Sequence, residues 1–272
     1  MLRLHADTEP MSHRASSEIW QPPALRNVLG WPLDLGQRSS RWLIRALTLL
    51  ARQQVLSING LHHVQSAHDP FILALNHSTR NEAVLVPALL ILYRGGQLIH
   101  FLADWNYRLI PGIGLIYSRA ETVTVTRKPA RPRILNALKP LYRDPLSALE
   151  RSRAHLRAGR SIGIFPEGTI NRDPHRLLPG RRGAARLSLE TGAPVLPVGI
   201  RFPRARPGEP INDRAAIAVE IGAPLLPPRE AVGTVAPLAA VRAWHAVVMT
   251  EIGRLSHKTW APPTWEIHHE QP

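Results

Sequence analysis

Short apolar runs and helix-period segments alternate along most of this chain. Residues 55–59, 70–75, 98–103, 161–165, 195–200 and 216–221 read as short strands. Residues 120–127 alternate through Thr122, Val123, Thr124, Val125 and Thr126, which is also strand-like. Between these runs, residues 82–94, 145–158, 182–190 and 235–255 read as helices. Gly95-Gly96 stops the first and Gly159 the second. Strands of this length between helices predict an α/β fold: a layered domain with a largely buried mixed sheet flanked by helices.

An amphipathic helix is expected ahead of that domain. Trp42, Leu43, Ala46, Leu47, Leu49 and Leu50 recur at helical spacing over residues 38–54, accompanied by Arg41, Arg45 and Arg52. Such a helix either lies in a membrane interface with its arginines near anionic headgroups or packs on the domain with its arginines solvated. Residues 1–37, with Pro10, Pro22, Pro23 and Pro32 among polar positions, are expected to form an irregular arm. A single domain should span 38–258, with its motif-bearing core at 55–225 and a closing helix at 235–255. Residues 259–272 should form an irregular tail. No internal repeat is visible.

Composition narrows the function. Lysine and arginine exceed aspartate and glutamate by 14, which points to an anionic partner or substrate. There is no cysteine, so disulfides, thiol catalysis and cysteine-ligated zinc are excluded. The longest clean apolar run, residues 83–93, is shorter than the ~20 residues a spanning helix needs. Residues 1–23 carry acids, histidines and prolines with no apolar run, so they do not read as a signal peptide. The protein is expected to be neither integral to a membrane nor secreted by the usual route.

Three segments could carry chemistry. Asn76-His77-Ser78-Thr79-Arg80-Asn81-Glu82 follows a strand, where α/β sheets commonly place functional groups. A histidine there can take a proton near neutral pH, and a carboxylate on its other ring nitrogen fixes the tautomer. Glu82 alternatively reads as a first-turn acid favoured by the helix dipole. Phe165-Pro166-Glu167-Gly168-Thr169 ends another strand in a turn whose amides can face an anion. Pro111-Gly112-Ile113-Gly114 precedes the strand that ends at Arg127, a residue type able to grip phosphate through two bonds.

Taken in order, these segments resemble the glycerolipid acyltransferase family typified by 1-acylglycerol-3-phosphate acyltransferases. Asn76-His77, Pro111 with Gly114 and Arg127, residues 165–169, and Ala193-Pro194-Val195-Leu196-Pro197-Val198 match its motifs across roughly residues 55–225. The resemblance implies transfer of a fatty acyl group from acyl-CoA or acyl carrier protein to a lysolipid hydroxyl. The first expected acceptor is 1-acyl-sn-glycerol-3-phosphate, giving phosphatidic acid, and the alternative is another lysolipid such as lyso-ornithine lipid. His77 would be the general base and Glu82 its orienting acid. Arg127 with Phe165, Pro166, Glu167, Gly168 and Thr169 would hold the acceptor. The resemblance further implies no metal, no cofactor beyond the acyl thioester, and a peripheral position on the cytoplasmic face of an anionic membrane surface.

Two positions depart from the family pattern. Glu82 stands where an aspartate is usual, and Ile170 where many members carry arginine. Arg172, Arg176, Arg181 and Arg182 are near enough in sequence to supply the missing cation. Two other classes fit less well. A metal-dependent hydrolase could draw on His62, His63, His68, His77, Asp69 and Glu82, but no His-Glu-x-x-His spacing occurs. Nucleic-acid binding fits the charge, yet the arginines are dispersed and no binding motif is recognisable.

Overall fold

The computed structural model describes residues 22–109, 113–119, 121–125, 129, 133–142, 145–206, 208–232 and 235–262. Its centre is a seven-stranded sheet: β1 (Val55–Asn59), β2 (Ile72–Leu75), β3 (His100–Asp104), β4 (Val123–Val125), β5 (Ile162–Ile164), β6 (Val195–Arg201) and β7 (Ile217–Ile221). The spatial order is β1-β7-β6-β2-β5-β3-β4. All neighbours are parallel except β6 and β7. Parallel return requires a long crossover, usually helical. No helix forms among the described residues of 202–216, so β7 comes back antiparallel and the sheet is mixed, as expected.

Both faces of the sheet are covered. Phe71, Leu73 and Leu75 point to one side with Leu196, Val198 and Ile200; Ile72 and Ala74 point to the other with Ile162 and Ile164. This two-residue alternation with apolar residues on both sides is what a buried strand requires. The first face meets α3 (Glu82–Tyr93), which is apolar nearly all round because it lies between the sheet and α2 (Arg38–Gln54). The second face meets α5 (Ala148–Arg157), α6 (Gly183–Thr191) and α7 (Leu238–Ser256). Gly199 lets α7 approach closely: a Cβ there would stand 2.1 Å from the Leu255 carbonyl carbon.

Two helices were not anticipated. Within the expected irregular arm, α1 (Leu25–Gly30) forms because Val28, Trp31 and Leu33 find apolar partners on α2 and α3. In the Pro/Gly-broken stretch, α4 (Ile113–Arg119) follows a 3₁₀ turn at Trp105–Leu109. The amphipathic helix divides its apolar residues: Ile44, Leu47 and Ala51 pack inward, while Trp42 and Leu50 are 61% and 57% exposed. No described helix is long and apolar enough to cross a membrane.

Candidate active site

The site forms where the parallel strands β2 and β5 end side by side. Leu75 is the last residue of β2, and Asn76 then replaces the ladder with its side chain. Its Nδ2 donates to the Ile200 carbonyl at 2.9 Å, and its Oδ1 accepts from Ile200 N–H at 2.6 Å. The sheet edge stays satisfied while the main chain turns away, carrying His77 out of the strand.

Glu82 closes the turn. It is the first residue of α3 and fully buried. Its backbone N–H donates to Thr79 Oγ1 at 3.2 Å, and Thr79 Oγ1 donates back to Glu82 Oε2 at 3.2 Å. Oε1 accepts from Ser78 N–H and lies 3.0 Å from His77 Nδ1. Glu82 is thus both a helix-start acid and the partner of the His77 ring. The opposite ring nitrogen, Nε2, is left for another group. The Phe165 ring lies beside the imidazole, with centroids 4.5 Å apart.

The second loop holds the same histidine by its backbone. Glu167 Oε1 accepts from His77 N–H at 2.9 Å. Its Oε2 accepts from Leu178 N–H at 2.9 Å and from Asn171 Nδ2 at 2.7 Å. Asn171 N–H in turn donates to the His77 carbonyl at 2.7 Å. With three protein donors on its carboxylate, Glu167 is buried and does not line the cavity beside it. Its carboxylate is turned to these three protein donors and away from the cavity, whereas an acceptor contact was expected of it. Gly168 supplies the turn at φ +67°, and a Cβ there would meet Arg181 Nε at 2.8 Å.

A cavity of about 2130 Å³ opens at this point. His77, Phe165, Pro166, Gly168 and Thr169 line it, as do Arg80, Arg181, Arg182 and Arg186. Its apolar wall comes from α2 and α3 through Leu43, Leu47, Val84, Pro87 and Ile91. Of the arginines considered as replacements at Ile170, Arg181 and Arg182 line this cavity. Arg172 instead pairs with Asp213, both oxygens lying 2.9 Å from its Nη2. Pro111 and Arg127 lie outside the described residues. Among the described residues, no three His, Cys, Asp or Glu side chains group as a metal site.

Lys258 was not singled out from the sequence. It is buried, and its Nζ donates to Ser78 Oγ at 2.8 Å and to the Asp173 carbonyl at 2.7 Å. Burial pulls this ammonium below the ordinary lysine range, while Glu167, Glu82 and Asp173 draw it back up. Nothing in one lysine among 34 cations marks it in advance; only the packing of α7 brings it here.

An acyltransferase family model matches residues 55–201, more than half of the chain, and the chain belongs to that family. Particular relatives narrow the comparison. The chain is 28% identical over 141 residues to a chloroplastic 1-acyl-sn-glycerol-3-phosphate acyltransferase of Brassica napus, covering 52% of this chain and 36% of that protein. It is 28% identical over 171 residues to the lyso-ornithine lipid O-acyltransferase of Pseudomonas aeruginosa, covering 62% and 56%. The chain thus spans little more than a third of the first relative and about half of the second. The crystal structure of the 1-acyl-sn-glycerophosphate acyltransferase of Thermotoga maritima shares the fold, with TM-score 0.51 and 20% identity over 85% of this chain and 88% of that one.

Proposed function

We propose that this chain transfers a fatty acyl group from an acyl-CoA or acyl carrier protein thioester to the free hydroxyl of a lysolipid. Our first acceptor is 1-acyl-sn-glycerol-3-phosphate. The observation that carries the reading is the His77 Nδ1 to Glu82 Oε1 contact of 3.0 Å at the edge of a cavity of about 2130 Å³. Ordinary small-ligand pockets hold ~300–1,000 Å³, so this cavity has room for a fatty chain and a second, polar substrate.

In this mechanism His77 takes the acceptor hydroxyl proton on Nε2 while Glu82 holds the Nδ1 tautomer and stabilises the imidazolium. The oxygen attacks the thioester carbonyl, the tetrahedral intermediate collapses, and the thiolate leaves and is protonated. No acyl-enzyme is required. The amides of His77, Ser78 and Gly168 already donate within the protein, so the oxyanion is left to Thr169, Arg80 or Arg181 on the cavity wall. The same arginines suit an anionic headgroup, and Arg181 beside the Gly168 turn stands in for the cation missing at Ile170. Arg127 is proposed to share that task. Glu167 acts by holding His77 in place.

Exposed Leu25, Leu29, Trp42 and Leu50 support peripheral contact with an anionic membrane, on its cytoplasmic face. A lyso-ornithine lipid is the second acceptor reading, favoured by Ile170 and by the longer match to the Pseudomonas aeruginosa relative. The deciding experiment offers a labelled acyl thioester with a panel of lysolipids and identifies the product by mass. Labelled phosphatidic acid supports the first acceptor. Acylated lyso-ornithine lipid alone moves the assignment to the second, and no acylated lipid with any acceptor defeats the reading.

A further inference from the structure

A buried cation stands beside the His77–Glu82 pair with no part in the proton transfer itself. Burying an ammonium is costly unless charge and hydrogen bonds compensate it. Three features fix Lys258 in this position. First, α7 ends in a left-handed residue, His257 (φ 57°, ψ 34°), whose N–H reaches the Arg254 carbonyl while Lys258 N–H reaches Gly253 at 2.9 Å. Second, Thr259 and Leu177 bond to the backbone across from each other: Thr259 N–H to the His175 carbonyl at 2.8 Å, and Leu177 N–H to the Thr259 carbonyl at 2.9 Å. Third, Trp260 Nε1 donates to the Pro179 carbonyl at 3.1 Å.

The ammonium thus meets both loops of the site. Ser78, which accepts from Nζ, also donates its N–H to Glu82. Asp173, whose carbonyl accepts from Nζ, lies in the loop whose Asn171 and Leu178 hold Glu167. The carboxylates facing the ammonium are Glu82, Glu167 and Asp173. His77 itself faces Glu82 through its ring and Glu167 through its N–H, with Arg80, Arg181, Arg182 and Arg186 among the cations on the shared cavity.

We propose that Lys258 is a positioning residue whose buried charge, set against the loop that carries His77 and Glu82, disfavours protonation of that pair. The inference rests on the reading of His77 as the general base. A positive charge near a carboxylate and an imidazole disfavours the protonated form of each, so both effects have one sign. Removing it makes the pair hold its proton more tightly, and the acid limb of activity moves to higher pH. A lysine that only clamped the two loops together would lower turnover at every pH and leave that limb in place.

The test uses the full chain with Lys258→Met, Lys258→Gln and Lys258→Arg. The His77 imidazole is titrated by NMR, its signal assigned by its loss in His77→Ala, and kcat/KM is measured against pH with an acyl thioester and lysolipid. The two neutral variants should move the imidazole titration and the acid limb of kcat/KM together to higher pH. Lys258→Arg should keep both near wild type. An unmoved His77 titration in a folded neutral variant overturns the proposal, and so does failure of both neutral variants to fold, since the charge would then serve the fold alone. The NMR titration needs no substrate. A wild-type chain that acylates nothing would therefore defeat the acyltransferase reading while the effect of Lys258 on His77 was still measured.

Discussion

The loops that leave β2 and β5 hold one histidine from opposite ends. In the first, Glu82 touches the His77 ring; in the second, Glu167 touches the His77 backbone N–H. Both carboxylates are buried and multiply hydrogen-bonded. They differ in what moves when each is lost. In the proposed mechanism the ring contact bears on protonation, and so on the transition state. The backbone contact bears on where the ring sits, which matters to the fold and the reaction together. Burial and hydrogen-bond number alone would rank the two as equivalent; only the atom of His77 that each one meets separates them.

The largest expected effect tests whether the two loops serve His77 at all. His77→Ala should lower turnover by at least the ~10²-fold typical of losing acid–base catalysis, with little change in thermal stability because the residue lies on a loop. Steady-state kinetics alongside a melting curve measure both. Turnover within a few-fold of wild type, in a folded variant, would sink the mechanism.

Next in size is the contrast between the carboxylates. Glu82→Gln should lower kcat strongly while KM for either substrate changes little, because an amide cannot stabilise the imidazolium. Glu167→Gln should act mainly through stability. Its amide nitrogen would face one of the donors Leu178 N–H, Asn171 Nδ2 or His77 N–H, and an unsatisfied buried donor costs about 1–3 kcal/mol. Denaturant unfolding and kinetics on both variants give the comparison. If Glu167→Gln is as stable as wild type but catalytically dead, Glu167 takes part in the chemistry and the division of labour is wrong.

A smaller effect concerns the headgroup. Arg181→Lys keeps the charge but loses the planar fork that binds phosphate through two bonds. With 1-acyl-sn-glycerol-3-phosphate as acceptor, its KM should rise several-fold to about tenfold, the loss of one charge-assisted bond, while the thioester KM stays put. Equal acceptor KM in wild type and variant would remove Arg181 from the headgroup site.

These contrasts were unequally visible in the sequence. The strands and the helices that bear the site followed from short apolar runs and their punctuation, because each is buried on a regular face. The His77–Glu82 spacing allowed a pair, since five residues across a turn into a helix can close locally, and the family resemblance chose it over a helix-start acid. Glu167 was visible as a residue but not in its hydrogen bonds. Its partners Leu178 and Asn171 belong to an irregular loop that no periodicity describes. Lys258 lies 180 positions from the Ser78 it bonds, and no local pattern encodes such a contact. The antiparallel β6–β7 pairing was equally remote, depending on a connection with no crossover helix among its described residues. Of the two readings of the amphipathic helix, packing on the domain holds for Ile44, Leu47 and Ala51, while Trp42 and Leu50 stay exposed because the apolar arc is wider than α3 can cover.

The smallest effect lies at the opposite end of the sheet and separates acid sensitivity of the fold from that of the site. His100 begins β3, and its ring stacks on His155 of α5 with centroids 4.2 Å apart. Burial, then the neighbouring His100, lower the His155 pKa from 6.5 to about 4, and burial lowers that of His100 as well. His155 Nδ1 is also buried without a hydrogen-bond partner among the described residues. The folded protein therefore resists a proton that the unfolded chain accepts. Stability is unaffected above the unfolded pKa and falls as pH drops from about 6.5 toward about 4. His155→Phe keeps an aromatic ring against His100 and removes the titrating group. Its melting temperature should fall less than that of wild type over that range, while its activity at neutral pH and the acid limb of kcat/KM stay as they were. A melting temperature with the wild-type pH slope would show that the acid sensitivity of the fold resides elsewhere. A shifted acid limb would show that the two ends of the sheet are electrostatically coupled, against the separation drawn here between the loops that hold His77 and the rest of the fold.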